Sequence, residues 1–273
     1  MPVKNILFLF FFALISIPVL AQQPSSPSPN SSNDKNAAKK QHINQLMKME
    51  EEGDLIFDHY WVLGFKLATN GYGIFYEKGK FITNVKTRTL TFELNEIKDP
   101  KDHKEQIPTS SDGYSYNYIS VGRLNNFYEL KASYGQQFLL GGKGNKNGVA
   151  VTYLYSAGLS LGMLKQYVLN VTKDPNLNSF LFQSTYPTIF DSAYFVNNAA
   201  GLGGGWDHLK FSPGINAKLA MRFDYGRYNT NVAAFETGVT AEYYLSEMPL
   251  MAYVPPKHLF FNAYISIMFG KRK

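Results

Sequence analysis

Five histidines, His42, His59, His103, His208 and His258, are the chain's candidates for acid–base or metal chemistry. Hydrolysis of a lipid would need one of them beside a serine and an acid, and His208 next to Asp207 is the nearest approach to such a group. No G-x-S-x-G nucleophile motif accompanies the pair, and no two histidines stand at a metal-ligand spacing. The reading therefore gives His208 an interfacial place. "GLGGG", Gly201 to Gly205, resembles a phosphate loop but lacks the following Lys-Ser/Thr and a preceding strand, so it reads as a mobile loop. The stretch Asp99-Pro100-Lys101-Asp102 and its neighbouring charges could bind a cation, yet the placement of Pro100 argues for a turn first. The chain has no cysteine, which removes disulfides and thiolate metal sites. No catalytic, cofactor-binding or metal-ligating residue is assigned.

A different set of charges is more regular. Lys66, Glu93, Glu129, Lys131, Lys210, Lys218, Arg222, Asp224, Glu236 and Glu242 all fall on the polar side of segments whose other side is apolar. Such a set could line a polar pore or a catalytic lumen. It could also neutralise itself as a buried plug, because an unpaired buried charge is costly, and the plug is the reading preferred here.

The elements that position these charges are long alternating strands. From His208 to Gly226 the odd positions carry Leu209, Phe211, Ile215, Leu219, Met221, Phe223 and Tyr225, and the even ones Lys210, Asn216, Lys218, Arg222 and Asp224. That alternation lasts about 17 residues, against roughly 5–6 for an ordinary strand. Comparable stretches run from Tyr60 to Thr69, near Tyr72 to Lys78, over "LTFELNEI", and from Asn126 to Leu140, Gly148 to Gly162, Val232 to Ser246 and His258 to Gly270, making eight strands. Asn70-Gly71 is a tight hairpin signal. The basic turns "EKGK", "GGKGNKNG" and "YGRYN" join strands two–three, four–five and six–seven. Longer links, about Lys98 to Arg123, Thr172 to Asp207 and Glu247 to Lys257, join the pairs between. Short turns at one end and long loops at the other is the layout of an outer-membrane barrel with periplasmic termini. The competing reading is an exported soluble sandwich or lipocalin-like barrel, whose apolar face would point inward. Long strands and aromatics at their ends favour the membrane barrel.

The N-terminus supports export. Lys4 precedes an apolar run from Ile6 to Leu20, with Val19 and Ala21 before a cut ahead of Gln22, the pattern of a secretory signal peptide. The run is shorter than the ~20 residues a spanning helix needs. Three regions follow: a signal peptide at 1–21, a flexible Pro/Ser/Asn-rich tether with a short helix at 22–54, and the barrel domain at 55–273. A mean hydropathy of −0.22 suits a barrel in which alternate residues meet lipid. The net charge is +6, and losing Lys4 with the leader leaves +5, enough to favour anionic envelope surfaces. Nothing resembles a nucleic-acid module. An eight-stranded interior is just filled by side chains, which disfavours a wide porin.

The segments "TNGYGIFYEKGK", "TLTFELNEIKDPKD", "VGRLNNFYELKASYGQQFLL", "KNGVAVTYLYSAGLSLGMLKQYVL" and "FNAYISIMFGKRK" resemble a family of small outer-membrane β-barrel proteins of Bacteroidota. The similarity covers Tyr60 to Leu169 and the last strand, about half of the chain. It implies an eight-stranded barrel in the outer membrane and transfers no catalytic or binding residue. The chain departs from the usual ending, since Phe269 is followed by Gly270-Lys271-Arg272-Lys273.

The expectation is thus an all-β protein: an exported, eight-stranded antiparallel transmembrane β-barrel surrounded by outer-membrane lipid. It is expected to be non-enzymatic, without cofactor, and a structural or accessory component of an envelope complex. A protein partner would dock on the long loops, including the aromatic stretch Tyr186 to Gly201, or on the N-terminal segment. The alternatives are a small lipid-modifying enzyme and a narrow channel or ligand-binding barrel.

Overall fold

The computed structural model describes residues 41, 57–108, 116–143, 148–172, 180–183, 195–201, 203–226, 230–252 and 254–273. Gln41, which is helical, belongs to a compact unit Met1–Met47, and the other described residues to a second, Lys48–Lys273. The expected leader, tether and the remainder of the short helix lie outside the described residues.

Thirteen strands occur among the described residues. They are β1 (His59–Ala68), β2 (Gly71–Phe81), β3 (Lys86–Ile97), β4 (Lys104–Pro108), β5 (Tyr116–Ser120), β6 (Asn125–Gly141), β7 (Ala150–Gln166), β8 (Val168–Thr172), β9 (Phe180–Gln183), β10 (Phe195–Ala199), β11 (Lys210–Asp224), β12 (Asn231–Met248) and β13 (Lys257–Arg272). Eight of them close an antiparallel barrel in the order β1-β2-β3-β6-β7-β11-β12-β13. These are the eight strands read from the alternation. Residues facing out are exposed and apolar: Leu159 on β7 is 71% exposed and Phe261 on β13 69%. Residues facing in are buried, polar or charged along the middle of the barrel and apolar toward its two ends. The lipocalin-like assignment, with the apolar face inside, is thereby reversed.

Register sets the barrel's size. Stepping from Leu63 through Tyr76, Phe92, Ala132, Leu159, Ile215 and Tyr243 arrives at Leu259 on β13, whereas Leu63 itself pairs with Phe269. The two positions on β13 differ by ten residues, which is the stagger of the barrel. With eight strands and ordinary strand spacings, that stagger corresponds to a tilt of about 40°.

The first turn and the β2–β3 turn differ from expectation. The first loop is Thr69-Asn70, one residue earlier than Asn70-Gly71, with Ala68 paired to Gly71. Gly71 is required by close approach, because a Cβ there would strike the Glu96 carbonyl. "EKGK" is not a turn: Glu77, Lys78, Gly79 and Lys80 belong to β2, and the chain reverses at 82–85. Gly79 had suggested a loop, but its missing side chain makes room for the ring of Tyr60.

Three long links stand at the end opposite the termini, as expected, but they are not plain loops. β4 and β5 form a hairpin, and β10-β8-β9 form a three-stranded sheet. Ile119 of β5 is buried against Tyr167, Leu169 and Val171, and Val121 and Ala199 flank them. The Ser120 N–H donates to Tyr167 Oη at 3.1 Å. The third link is stitched to the first where Leu124 N–H donates to the Leu250 carbonyl at 2.8 Å and Ala252 N–H to the Gly122 carbonyl at 2.7 Å. Together these pieces form a cap over one mouth.

Candidate functional site

The barrel interior is a continuous polar network. Arg222 on β11 spans two carboxylates, with Nη1 2.7 Å from Glu77 and Nη2 2.6 Å from Glu236. Tyr60 Oη stands 2.7 Å from Glu77 and 2.9 Å from Gln137, and Tyr264 Oη donates to Glu236 at 2.6 Å. Toward the cap, Lys66 meets Glu93 at 2.8 Å, and Lys218 lies 3.4 Å from Glu93 and 3.8 Å from Glu236. Lys131 then bridges Glu242 at 2.5 Å and Glu129 at 2.9 Å. Asn262 donates to Glu242, Asn95 to Glu129, and Tyr244 to Glu129.

Nine charged side chains make up this interior: Lys66, Lys131, Lys218 and Arg222 against Glu77, Glu93, Glu129, Glu236 and Glu242, all buried. Acids exceed bases by one. The hydroxyls of Tyr60, Tyr264 and Tyr244 supply further, neutral donors to Glu77, Glu236 and Glu129, carboxylates that share their cations with one another or with Glu242.

Apolar plugs close the network at both ends. Under the cap, Ile97, Phe127, Leu164, Tyr244, Met248, Leu250, Met251 and Phe260 form one cluster, with Phe127 and Tyr244 edge-to-face at 5.4 Å. At the turn end Tyr60, Val62, Phe75, Val232, Ala234 and Met268 form another, with Phe81 packed on it. An eight-stranded interior is filled by side chains in this way.

Of the ten charges expected inside, nine are buried. Lys210 keeps the inward parity but stands at the mouth, where β11 leaves the barrel, and is exposed. Asp224 is buried at the turn end, bonded by Lys143 at 3.2 Å and by Arg272. Glu77 was missed because the charged "EKGK" reads as a turn. Its signal lay in the parity of Phe75, two residues earlier on the same face.

The described histidines lie apart from one another. His103 sets Nδ1 3.0 Å from the Lys101 carbonyl and Nε2 3.0 Å from Glu105. These two acceptors, the carbonyl first, raise its pKa above the ordinary 6.5. His258 directs Nδ1 to the Tyr244 carbonyl at 3.0 Å and Nε2 toward Glu247 at 3.8 Å. His208 lies exposed in the turn before β11, and His59 opens β1 at the far end of the barrel. His42 lies outside the described residues.

The acidic turn holds protein cations. Arg123 binds Asp102, and Lys257 approaches Asp99 at 3.5 Å. Among the described residues no group of three or more His, Cys, Asp or Glu could hold a metal ion. Gly201 and Gly205 have φ of 65° and 84°, so these two glycines of "GLGGG" serve backbone conformation. Of Tyr186 to Gly201, residues 186–194 lie outside the described set, and Phe195–Ala199 is strand β10.

Neither a protein-family model nor a curated protein sequence matches the chain. Among solved structures it is similar to Neisserial surface protein A, at 9% identity over 79% of this chain and 96% of that one, with a TM-score of 0.42. It is similar to Ail, the attachment invasion locus protein of Yersinia pestis, at 9% identity over 80% and 100%, with a TM-score of 0.38. A third similarity is to the N-terminal β-barrel domain of Pseudomonas aeruginosa OprF, at 12% identity over 78% and 98%, with a TM-score of 0.34.

Proposed function

We propose that the chain is an outer-membrane barrel protein with a closed lumen, a non-enzymatic structural or accessory component of an envelope complex that meets its partner through the cap. The observation that carries this reading is the lumen, filled by mutually paired charges and stoppered by apolar side chains at both ends. Membrane placement is supported by the outward face, whose leucines, isoleucines and aromatics encircle the barrel. A soluble monomer rarely exposes an apolar patch beyond a few hundred Å². Strands of 10 to 18 residues suffice for the 9–11 or so needed to cross a bilayer at a steep tilt. The leader ending near Ala21 would deliver the chain past the inner membrane. The Bacteroidota resemblance agrees with that address.

With the lumen closed, surfaces remain, and the cap is the more elaborate one. It presents Tyr118, 59% exposed, and Trp206, 51% exposed, on a paired scaffold, and recognition is commonly carried by such connections on a rigid frame. The test is a pull-down of the tagged full chain from mildly solubilised outer membranes. A stoichiometric envelope protein should be captured, and lost when Lys104–Ser120 is replaced by a short turn. Recovery of the barrel alone would remove the accessory role. Loss of the partner on deleting Gln22 to Asp54 instead would move docking to the N-terminal segment.

A further inference from the structure

We propose that the outward face of β13-β1-β2-β3 at the turn end binds the phosphate groups of anionic glycerophospholipids in the adjoining leaflet. The proposal rests on the membrane placement above and adds a ligand class and a site to it.

Four cations converge there on neighbouring strands. Lys80 pairs directly with Arg88 across β2 and β3, and Lys78 stands two residues from Lys80 on the same face. Trp61 pairs with Lys78 on one side and with Lys271 on the other, so the indole lies between two lysines. Directly opposed side chains have Cβ atoms about 5 Å apart, and like charges in that relation repel. Among the described residues Lys78, Lys80, Arg88 and Lys271 have no ion pair or side-chain hydrogen bond. Neighbouring acids are engaged or turned away: Glu77 points inward to Arg222, and Asp224 is held by Lys143 and Arg272. Asp58 is the one described acidic side chain left beside the strip, exposed at its lower border. The strip therefore concentrates unneutralised positive charge that a bridging anion would relieve.

Its position selects the anion. One step up the strands, Leu63, Tyr76, Leu90 and Phe269 begin the apolar belt. A ligand filling both zones has a phosphate at the height of Lys78 and Lys80 and acyl chains against Leu63 and Phe269. On the described strand ends of β7, β11 and β12 the outward positions at this level are Tyr153, Phe223 and Phe235, where β13-β1-β2-β3 carry cations. Each basic side chain near an anionic lipid surface strengthens binding severalfold, and the effect fades with salt.

The test uses the full chain folded into nanodiscs of phosphatidylethanolamine with a minor share of cardiolipin or phosphatidylglycerol. Lipids retained on mild release are read by native mass spectrometry, and folding is checked by heat-modifiable gel mobility. The native chain should retain the anionic lipid in excess of its share. The quadruple variant Lys78→Gln/Lys80→Gln/Arg88→Gln/Lys271→Gln should fold and lose that preference by roughly tenfold or more. The charge-keeping variant Lys78→Arg/Lys80→Arg/Arg88→Lys/Lys271→Arg should retain it. Equal retention in the native chain and the quadruple variant overturns the site. No retention in the native chain, with retention appearing after Glu50, Glu51, Glu52 and Asp54 are neutralised, assigns the strip to the chain's own acidic segment and also overturns the proposal. Failure of the native chain to enter nanodiscs would instead overturn the membrane placement, which separates the two ideas.

Discussion

Arg222 illustrates how finely the interior depends on single residues. Its guanidinium holds Glu77 and Glu236 together, and removing one member of such a buried set strands the others. Arg222→Met is expected to destabilise the folded barrel by about 3–5 kcal/mol. Adding Glu77→Gln and Glu236→Gln should restore much of that loss, since neutral partners need no cation. Urea titration of the lipid-reconstituted barrel measures both, and a single-variant cost near zero would mean that water reaches the network. Gly79→Ala should cost about 1–3 kcal/mol by overpacking Tyr60, a result a surface turn would not show. In the cap, His103 should titrate with a midpoint above 6.5 in NMR spectra. A raised folded-state pKa adds stability fully present below the unfolded value and lost as pH rises through the folded one. At a fully exposed ring, the midpoint is the useful readout, and a value at or below 6.5 would mean that the Lys101 and Glu105 contacts are not kept in solution.

At the level of elements, the long strands were legible because alternation over ten or more residues has one interpretation, a sheet with two unlike faces. The same parity located most of the interior: Lys66, Glu93, Glu129, Lys131, Lys218, Arg222, Asp224, Glu236 and Glu242. It failed for Glu77, where lysines and a glycine imitated a turn, and for Lys210, which keeps the parity but opens β11 at the exposed rim. The cap strands were not legible. "KEQIP" and "YNYIS" are five residues each, too short to display a period, and β8 pairs with β10 across the intervening β9. Their partners are chosen by tertiary packing around Ile119 and Tyr167, which no local pattern encodes. Because the hairpin β4–β5 pairs only with itself in the sheet, its removal should leave the barrel's heat-modifiable gel shift intact. Loss of that shift would make the hairpin part of the barrel's own stability.

For the whole molecule, eight strands with a ten-residue stagger enclose a space that side chains fill, and here they fill it with charge. Purified protein in planar bilayers should therefore show no steady conductance, and stable single-channel steps would contradict the closed lumen. The network also ties distant parts of the chain. Glu77 on β2 reaches its arginine 145 positions later on β11, and Lys66 on β1 lies 4.5 Å from the ring centre of Tyr264 on β13, across the seam where the barrel closes. A growing sheet of β1, β2 and β3 would carry Glu77 and Glu93 into lipid with only Lys66 to answer them. Strand-by-strand entry into the bilayer is therefore opposed electrostatically until β11 arrives, and the seam gains its last contacts only when β13 meets β1. Insertion should behave as a single late event, with the early strands waiting in a polar setting for the C-terminal half to be made.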